Sequence, residues 1–389
     1  MKTCKAAVWT GPSKIEVQDV RIPDVKDDGM LIKVNAAGIC GTDIGLYPKT
    51  PPYPAILCHE ITGAIVEMGK DANKTMNSFS GPLQVDDRIS LYPWLTCGHC
   101  PNCLRYGAGS CSVCDNSFVY GVPYENTGIN GTPVMTSDIS VEPYLKGGFA
   151  EYVYIQPGTY IWKVPDDMPD DIAALLDPMA VAVRGVEMAI RVPGPIEESF
   201  TTNSTVLVLG DGCIGILTAL VAKVMGVKNV IMSGIYDNCL EFAKERSGAD
   251  YVMNSATMSF EQRNEMIMDI TDGIGADVVF GCVGNTKAFR DGVNMMKRVG
   301  TYVEIGNVGE GKTVEFDLAT DLCFKHATYH GMMINSPSAF NKAFGLLQRH
   351  EKLELGKIFT HRCALDGLNE TLSKGRDMDY VKGLVELNK

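Results

Sequence analysis

Short alternating runs of apolar and polar residues fill the first 155 positions and then give way to longer apolar blocks. Residues 6–9 (AAVW), 30–34 (MLIKV), 63–67 (GAIVE) and 88–91 (RISL) are broken by Gly and Pro, the pattern of a β-rich lobe. Residues 121–148 are polar and rich in Gly and Pro and read as loop, as do 70–84 and 191–203. The last of these contains Val192-Pro193-Gly194-Pro195, a candidate linker. From Ser204 the pattern changes. Residues 205–209 form an unbroken buried-strand run, 214–225 an apolar helix, 229–233 a second strand, 237–247 a helix and 251–253 a third strand. Further strands are predicted at 277–280, 301–305 and 327–330. Strands alternating with helices define βαβ units and a doubly wound parallel sheet. Beyond about 331 the tail mixes helix and strand and is expected to return to the first lobe. Neither an internal repeat nor a low-complexity segment is evident.

A chain of 389 residues exceeds what one hydrophobic core usually serves, so two domains are expected. The boundaries read as 1–185 for a β-rich catalytic domain, 186–330 for an α/β domain and 331–389 for a C-terminal return. A net charge of -12 disfavours nucleic acid and anionic membrane surfaces as partners. Apolar runs fall short of the roughly 18 residues of a membrane span. The opening MKTCKAAVW lacks a secretory apolar block, so a cytoplasmic location is expected. In that reducing setting 13 cysteines read as metal ligands and core thiols rather than disulfides.

Between the first strand and helix of the α/β region lies Gly210-Asp211-Gly212-Cys213-Ile214-Gly215, a G-x-G-x-x-G. Gly210 permits the tight turn, Gly212 lets backbone approach a pyrophosphate, and Gly215 allows helix to pack on strand. The helix N-terminus after Cys213 and Ile214 offers free N–H groups to the phosphates. At the end of the second strand, where an NAD site usually has Asp or Glu, stands Gly234. It removes a carboxylate that would repel a 2′-phosphate, which favours NADP(H), with NAD(H) possible.

Cys97, Cys100, Cys103 and Cys111 follow the spacing C-x2-C-x2-C-x7-C. Four thiolates this close can close a tetrahedron around one structural Zn2+. Cys114 lies just past the set and reads only as a substitute ligand. A second, catalytic metal has scattered candidates: Cys40 in GICGTD, His59 and Glu60 in LCHE, and Asp177 in LDPMA. Thiol, imidazole and carboxylate are the donors Zn2+ takes. Asp43 reads as a structural hydrogen-bonding residue. Cys4, Cys213, Cys239, Cys282, Cys323 and Cys363 read as core or surface thiols.

The cysteine lobe, GICGTD, HE, GGFAEYV at 147–153, DPMAVAVRG and the glycine motif together resemble the zinc-dependent medium-chain alcohol dehydrogenases, near their polyol and secondary-alcohol branch (sorbitol, butanediol, threonine and glucose dehydrogenases). The resemblance covers essentially the whole chain. It implies a GroES-like catalytic domain closed by the tail, a Rossmann domain, two Zn2+ per chain and a homodimer or homotetramer. It also implies that Cys40 and His59 ligate the catalytic zinc, that Glu60 ligates or flanks it, and that Asp177 stands where members carry Cys, Asp or Glu. Thr42 matches the hydroxyl that relays the substrate proton. Lys382 matches a basic residue near the cofactor pyrophosphate. Cys58 departs from the pattern, standing where the family generally has Gly. The expected activity is hydride transfer between a secondary alcohol or polyol, or the matching ketone, and NAD(P). A cofactor-retaining epimerase or lyase, and a non-enzymatic zinc-stabilised binding protein, are the alternatives.

Overall fold

The computed structural model describes residues 2–123, 137–190, 200–306 and 311–387. The candidate linker Val192-Pro193-Gly194-Pro195 lies outside them. The chain divides into two compact units: Met1–Asp177 with Asn335–Lys389, and Pro178–Ile334. They part at 177/178 and 334/335, rather than at the 185/186 and 330/331 read from the sequence. The first break falls in the opening turn of the helix Leu176–Met188. No helix among the described residues is long and apolar enough to cross a membrane.

The discontinuous unit is built on an eight-stranded mixed sheet around the strand Met30–Ile39. Glu60–Met68 pairs antiparallel on one side of it and Gly383–Glu386 on the other. A hairpin of Thr3–Gly11 and Lys14–Arg21, joined by Ala55–Ile56, forms a separate small sheet. Trp9, Ile32, Ile39, Ile56, Tyr120 and Phe149 are fully buried in the common core, the chief source of stability here. The stretch 70–84 read as loop contains a short helix, Ala72–Thr75, and the strand Asn77–Ser78.

Register positions the chemistry in this unit. Gly38 lies opposite Glu60, and Ile39 opposite Gly383. Cys40, which follows Ile39, His59, which precedes Glu60, and Lys382, which precedes Gly383, therefore emerge at one end of the sheet.

The continuous unit is a six-stranded parallel sheet in the spatial order Tyr251–Asn254, Asn229–Gly234, Thr205–Leu209, Ala276–Gly281, Met296–Glu304, Thr328–Gly331. Counted along the chain this is 3-2-1-4-5-6, the doubly wound dinucleotide-binding order. Thr205–Leu209 is buried at every position, as expected of a strand covered on both faces. Ser259 and Gln262 close a capping box on the helix Phe260–Ile270, and Gly248 ends Asp237–Ser247 in the left-handed conformation. Strand order reverses beside Thr205–Leu209, and the crevice at that switch point is where such sheets bind ligands.

Candidate metal centres and dinucleotide site

Ligand atoms of Cys40, His59 and Glu60 all lie within 4.8 Å of one another. Asp177 joins from the side, with Oδ2 3.8 Å from His59 Nε2. It stands outside the tight trio, and its side chain is 12% exposed. Asp43 is fully buried and ties the two ligand-bearing segments together. Its carboxylate accepts the Cys40 N–H at 2.9 Å and the Cys58 N–H at 3.1 Å. Thr42 is exposed, with Oγ1 3.7 Å from Cys40 Sγ.

Burial pushes the Asp43 and Asp177 carboxyls up to about 6. Burial also pulls the His59 imidazolium down, but Cys40, Asp43 and Asp177 outweigh it and raise His59 to about 10. A buried group of one thiol, one imidazole and several acids gathers negative charge that a divalent cation would neutralise. His59 Nδ1 is buried without a hydrogen-bond partner among the described residues. The S, N and O donor set fits Zn2+.

Two further side chains complete this centre. Lys382, expected beside a pyrophosphate, is buried within the discontinuous unit and donates to Glu60 Oε1 at 2.6 Å. Asn335, also buried, donates from Nδ2 to Asp177 Oδ1 at 3.1 Å. Its backbone carbonyl accepts from Tyr92 Oη and Cys111 Sγ, each at 2.8 Å. Asn335 escapes a sequence reading because nothing local marks it: its partners lie 158 and more positions away.

Cys58 holds φ +80°, a backbone region that explains why Gly suits this position. Its Sγ turns to the Gly38 carbonyl at 3.3 Å. The extra thiol thus packs against the strand rather than joining the metal candidates.

In the cysteine lobe the structure gathers Cys97, Cys100, Cys103 and Cys114, all four sulphurs within 4.8 Å of one another. Cys111, read from spacing as the fourth ligand, is not among them; its Sγ donates to Asn335 O. The short helical turn Gly107–Ser112 carries Cys111 inward and leaves Cys114 to return to the set. Cys97 Sγ and Cys103 Sγ lie 3.8 Å apart, matching the edge of about 3.8 Å that four Zn–S bonds of ~2.3 Å give a tetrahedron. Backbone N–H groups of Cys100, Cys103 and Cys97 point at the sulphurs of Cys97, Cys100 and Cys114, at 3.4, 3.4 and 3.3 Å. Such donors stabilise thiolates. Backbone N–H groups from Asp115 and Cys103 draw the Cys100 thiol down to about 7, while burial pushes Cys114 up to about 12. Four like groups this close need a cation before all can ionise.

In the parallel unit the glycine turn has the geometry its mechanism requires. Gly210 sits at φ +121°. A Cβ on Gly212 would meet nothing within 4 Å, leaving its backbone open to a ligand. A Cβ on Gly215 would lie 2.0 Å from the Gly210 carbonyl oxygen, so only Gly lets the helix close on the turn. Cys213–Val224 begins at Gly212 with no side-chain cap, and its first N–H groups remain available to a phosphate. Cys213 and Ile214 form its first turn. Gly234 ends the second strand, and the Asp211 carboxylate lies against it. The motif singles out its glycines and passes over Asp211.

The fold, the two metal-type clusters and the glycine turn together define a zinc- and dinucleotide-dependent dehydrogenase. Comparison with known proteins agrees. Residues 26–166 match the alcohol dehydrogenase GroES-like domain, and residues 213–349 the zinc-binding dehydrogenase domain. The chain belongs to the zinc-dependent medium-chain dehydrogenase/reductase superfamily. It is 31% identical to an L-threonine 3-dehydrogenase of Pyrococcus horikoshii, over 89% of this chain and 87% of that one. Among solved structures it resembles an alcohol dehydrogenase of Thermotoga maritima (27% identity, TM-score 0.85, 99% and 100% of the two chains). It also resembles a zinc-binding dehydrogenase of Sinorhizobium meliloti bound to NADP (27% identity, TM-score 0.79, the same shares). The protein is thus a zinc-dependent, NAD(P)-linked oxidoreductase acting on an alcohol–ketone pair.

Proposed function

We propose that the substrate is a secondary alcohol or polyol, or the matching ketone, bound at a zinc that Cys40 and His59 hold together with the carboxylates of Glu60 and Asp177. The observation that carries this reading is the setting of the centre: two carboxylates, not a second thiolate, flank Cys40 and His59. Oxygen donors make the metal harder and its surroundings more polar, which suits a hydroxyl-rich substrate. The Pyrococcus horikoshii relative is an L-threonine 3-dehydrogenase, and the 3-hydroxyl of threonine is secondary.

Zinc supplies Lewis acidity that makes a bound alcohol more acidic, and the nicotinamide supplies the hydride acceptor. The residues of this chain hold and orient. Asp43 fixes the backbone at Cys40 and Cys58, and so the spacing of the two ligand segments. Lys382 balances the Glu60 charge, and Asp177 faces His59 from the side. The Thr42 hydroxyl, exposed beside Cys40, takes the proton released by the substrate hydroxyl and passes it outward. Gly210, Gly212 and Gly215 seat the pyrophosphate against the helix N-terminus. The turn seats the pyrophosphate that NAD(H) and NADP(H) share. The family pattern of dimers or tetramers, and a cytoplasmic location, complete the proposal.

A screen of polyols, sugars, 3-hydroxy amino acids and primary alcohols, with both nucleotides and reduced-cofactor absorbance as the signal, tests the reading. Turnover confined to primary alcohols would sink it.

A further inference from the structure

The glycine that ends the second strand of the parallel sheet does not open a vacant space. A Cβ built on Gly234 would lie 2.0 Å from Asp211 Oδ2 and 2.4 Å from its Cγ. The Asp211 carboxylate fills the place that the first atoms of an acidic side chain at 234 would take. Sheet register makes this possible. Leu209 pairs with Ser233, and the Gly210 N–H donates to Ser233 O at 2.7 Å, so residues 211 and 234 leave adjacent strand ends side by side. Burial raises the Asp211 carboxyl, while the backbone N–H groups of Asp211 and Ile235 pull the other way. Oδ2 is buried and has no hydrogen-bond partner among the described residues.

A fixed acceptor lacking a donor is costly unless something supplies one. Vicinal ribose hydroxyls are two donors; a 2′-phosphate is a dianion that this carboxylate would repel. No Arg follows Gly234 directly to clamp a phosphate, and Arg246 on the next helix is paired with Glu245 at 2.6 Å.

We propose that Asp211, from within the glycine turn, replaces the missing strand-end acid as the residue that recognises the adenosine ribose and selects NAD(H) over NADP(H). The Gly234 signal, read alone, favours the opposite nucleotide; the geometry shows the carboxylate moved to a different strand end rather than lost. This assignment rests on the dinucleotide reading of the turn.

Binding of NADH and NADPH to the zinc-loaded full chain, followed by nucleotide fluorescence without substrate, tests it. NADH is expected to bind at least about tenfold tighter than NADPH, and Asp211→Asn to weaken NADH by about tenfold while NADPH is unchanged or tightened. The paired exchange Asp211→Gly with Gly234→Asp returns the carboxylate to the second strand and should recover NADH binding to within about threefold of the parent. Tighter NADPH in the parent, or an unaltered NADH dissociation constant in Asp211→Asn, would overturn the role of Asp211 alone. Binding of neither nucleotide would overturn the dinucleotide reading and this assignment with it.

Discussion

Lys382 Nζ lies 2.6 Å from Glu60 Oε1 with both side chains buried, an ion pair closed across 322 positions of sequence. Removing one member of such a pair strands a charge away from water, which typically costs about 3–5 kcal/mol. Lys382→Met is expected to lose about that much in urea denaturation of the zinc-loaded protein, and Lys382→Met with Glu60→Gln to recover most of it. Equal stability of the single and double variants would show that the pair is not coupled.

The cysteine lobe gives a direct metal count. The parent should carry two zinc ions per chain by emission spectrometry. Cys114→Ser is expected to lower this to about one, and Cys111→Ser to leave two, because only the Cys114 sulphur sits with Cys97, Cys100 and Cys103. The reverse pattern would return Cys111 to the ligand set.

Cys58 is strained by φ +80° while its side chain is fully buried. Its replacement by Ala keeps the strain and loses the sulphur; replacement by Gly relieves the strain. Gly is therefore expected to be the more stable variant by about 1 kcal/mol, opposite to the usual order. Thermal unfolding of both variants decides this, and an Ala variant more stable than Gly would refute it.

Glu304 supplies a pH signature in the parallel unit. Burial raises its carboxyl to about 7, although the Tyr302 hydroxyl and the Gly306 N–H pull the other way. Because the folded value is raised, the folded state keeps a proton that the unfolded chain has already released. The contribution is complete below about pH 4.5 and is lost as pH climbs through about 7. Stability measured across this window should decline in the parent and decline less in Glu304→Gln. Parallel curves would show that Glu304 titrates normally.

The parallel unit was the more legible half. Buried parallel strands such as Thr205–Leu209 are unbroken apolar runs, and a glycine turn carries its mechanism in residue types alone. The scattered metal candidates Cys40 and His59 were legible as donor chemistry, and register brings them together. Legibility fails where the deciding fact is direction or distance. Cys111 and Cys114 are chemically identical, and only the turn at 107–112 settles which sulphur faces the other three. The glycine motif assigns Asp211 no role, because the neighbour that gives it one, Gly234, belongs to another strand. Asn335 and Lys382 act on partners 158 and 322 positions away, beyond the reach of any local pattern.

The strand Gly383–Glu386 lies inside the mixed sheet, between His361–Cys363 and Met30–Ile39. Order of synthesis therefore separates the two units. The ribosome finishes residues 178–334 while residues 36–39 of Met30–Ile39 still present an open edge, and domains generally fold as units once complete. Until Gly383–Glu386 is made, that edge is a pairing hazard, and Glu60 waits without its lysine beside the thiol of Cys40. The nascent chain thus has a window in which one half can be folded and the other is exposed to aggregation and to the wrong metal.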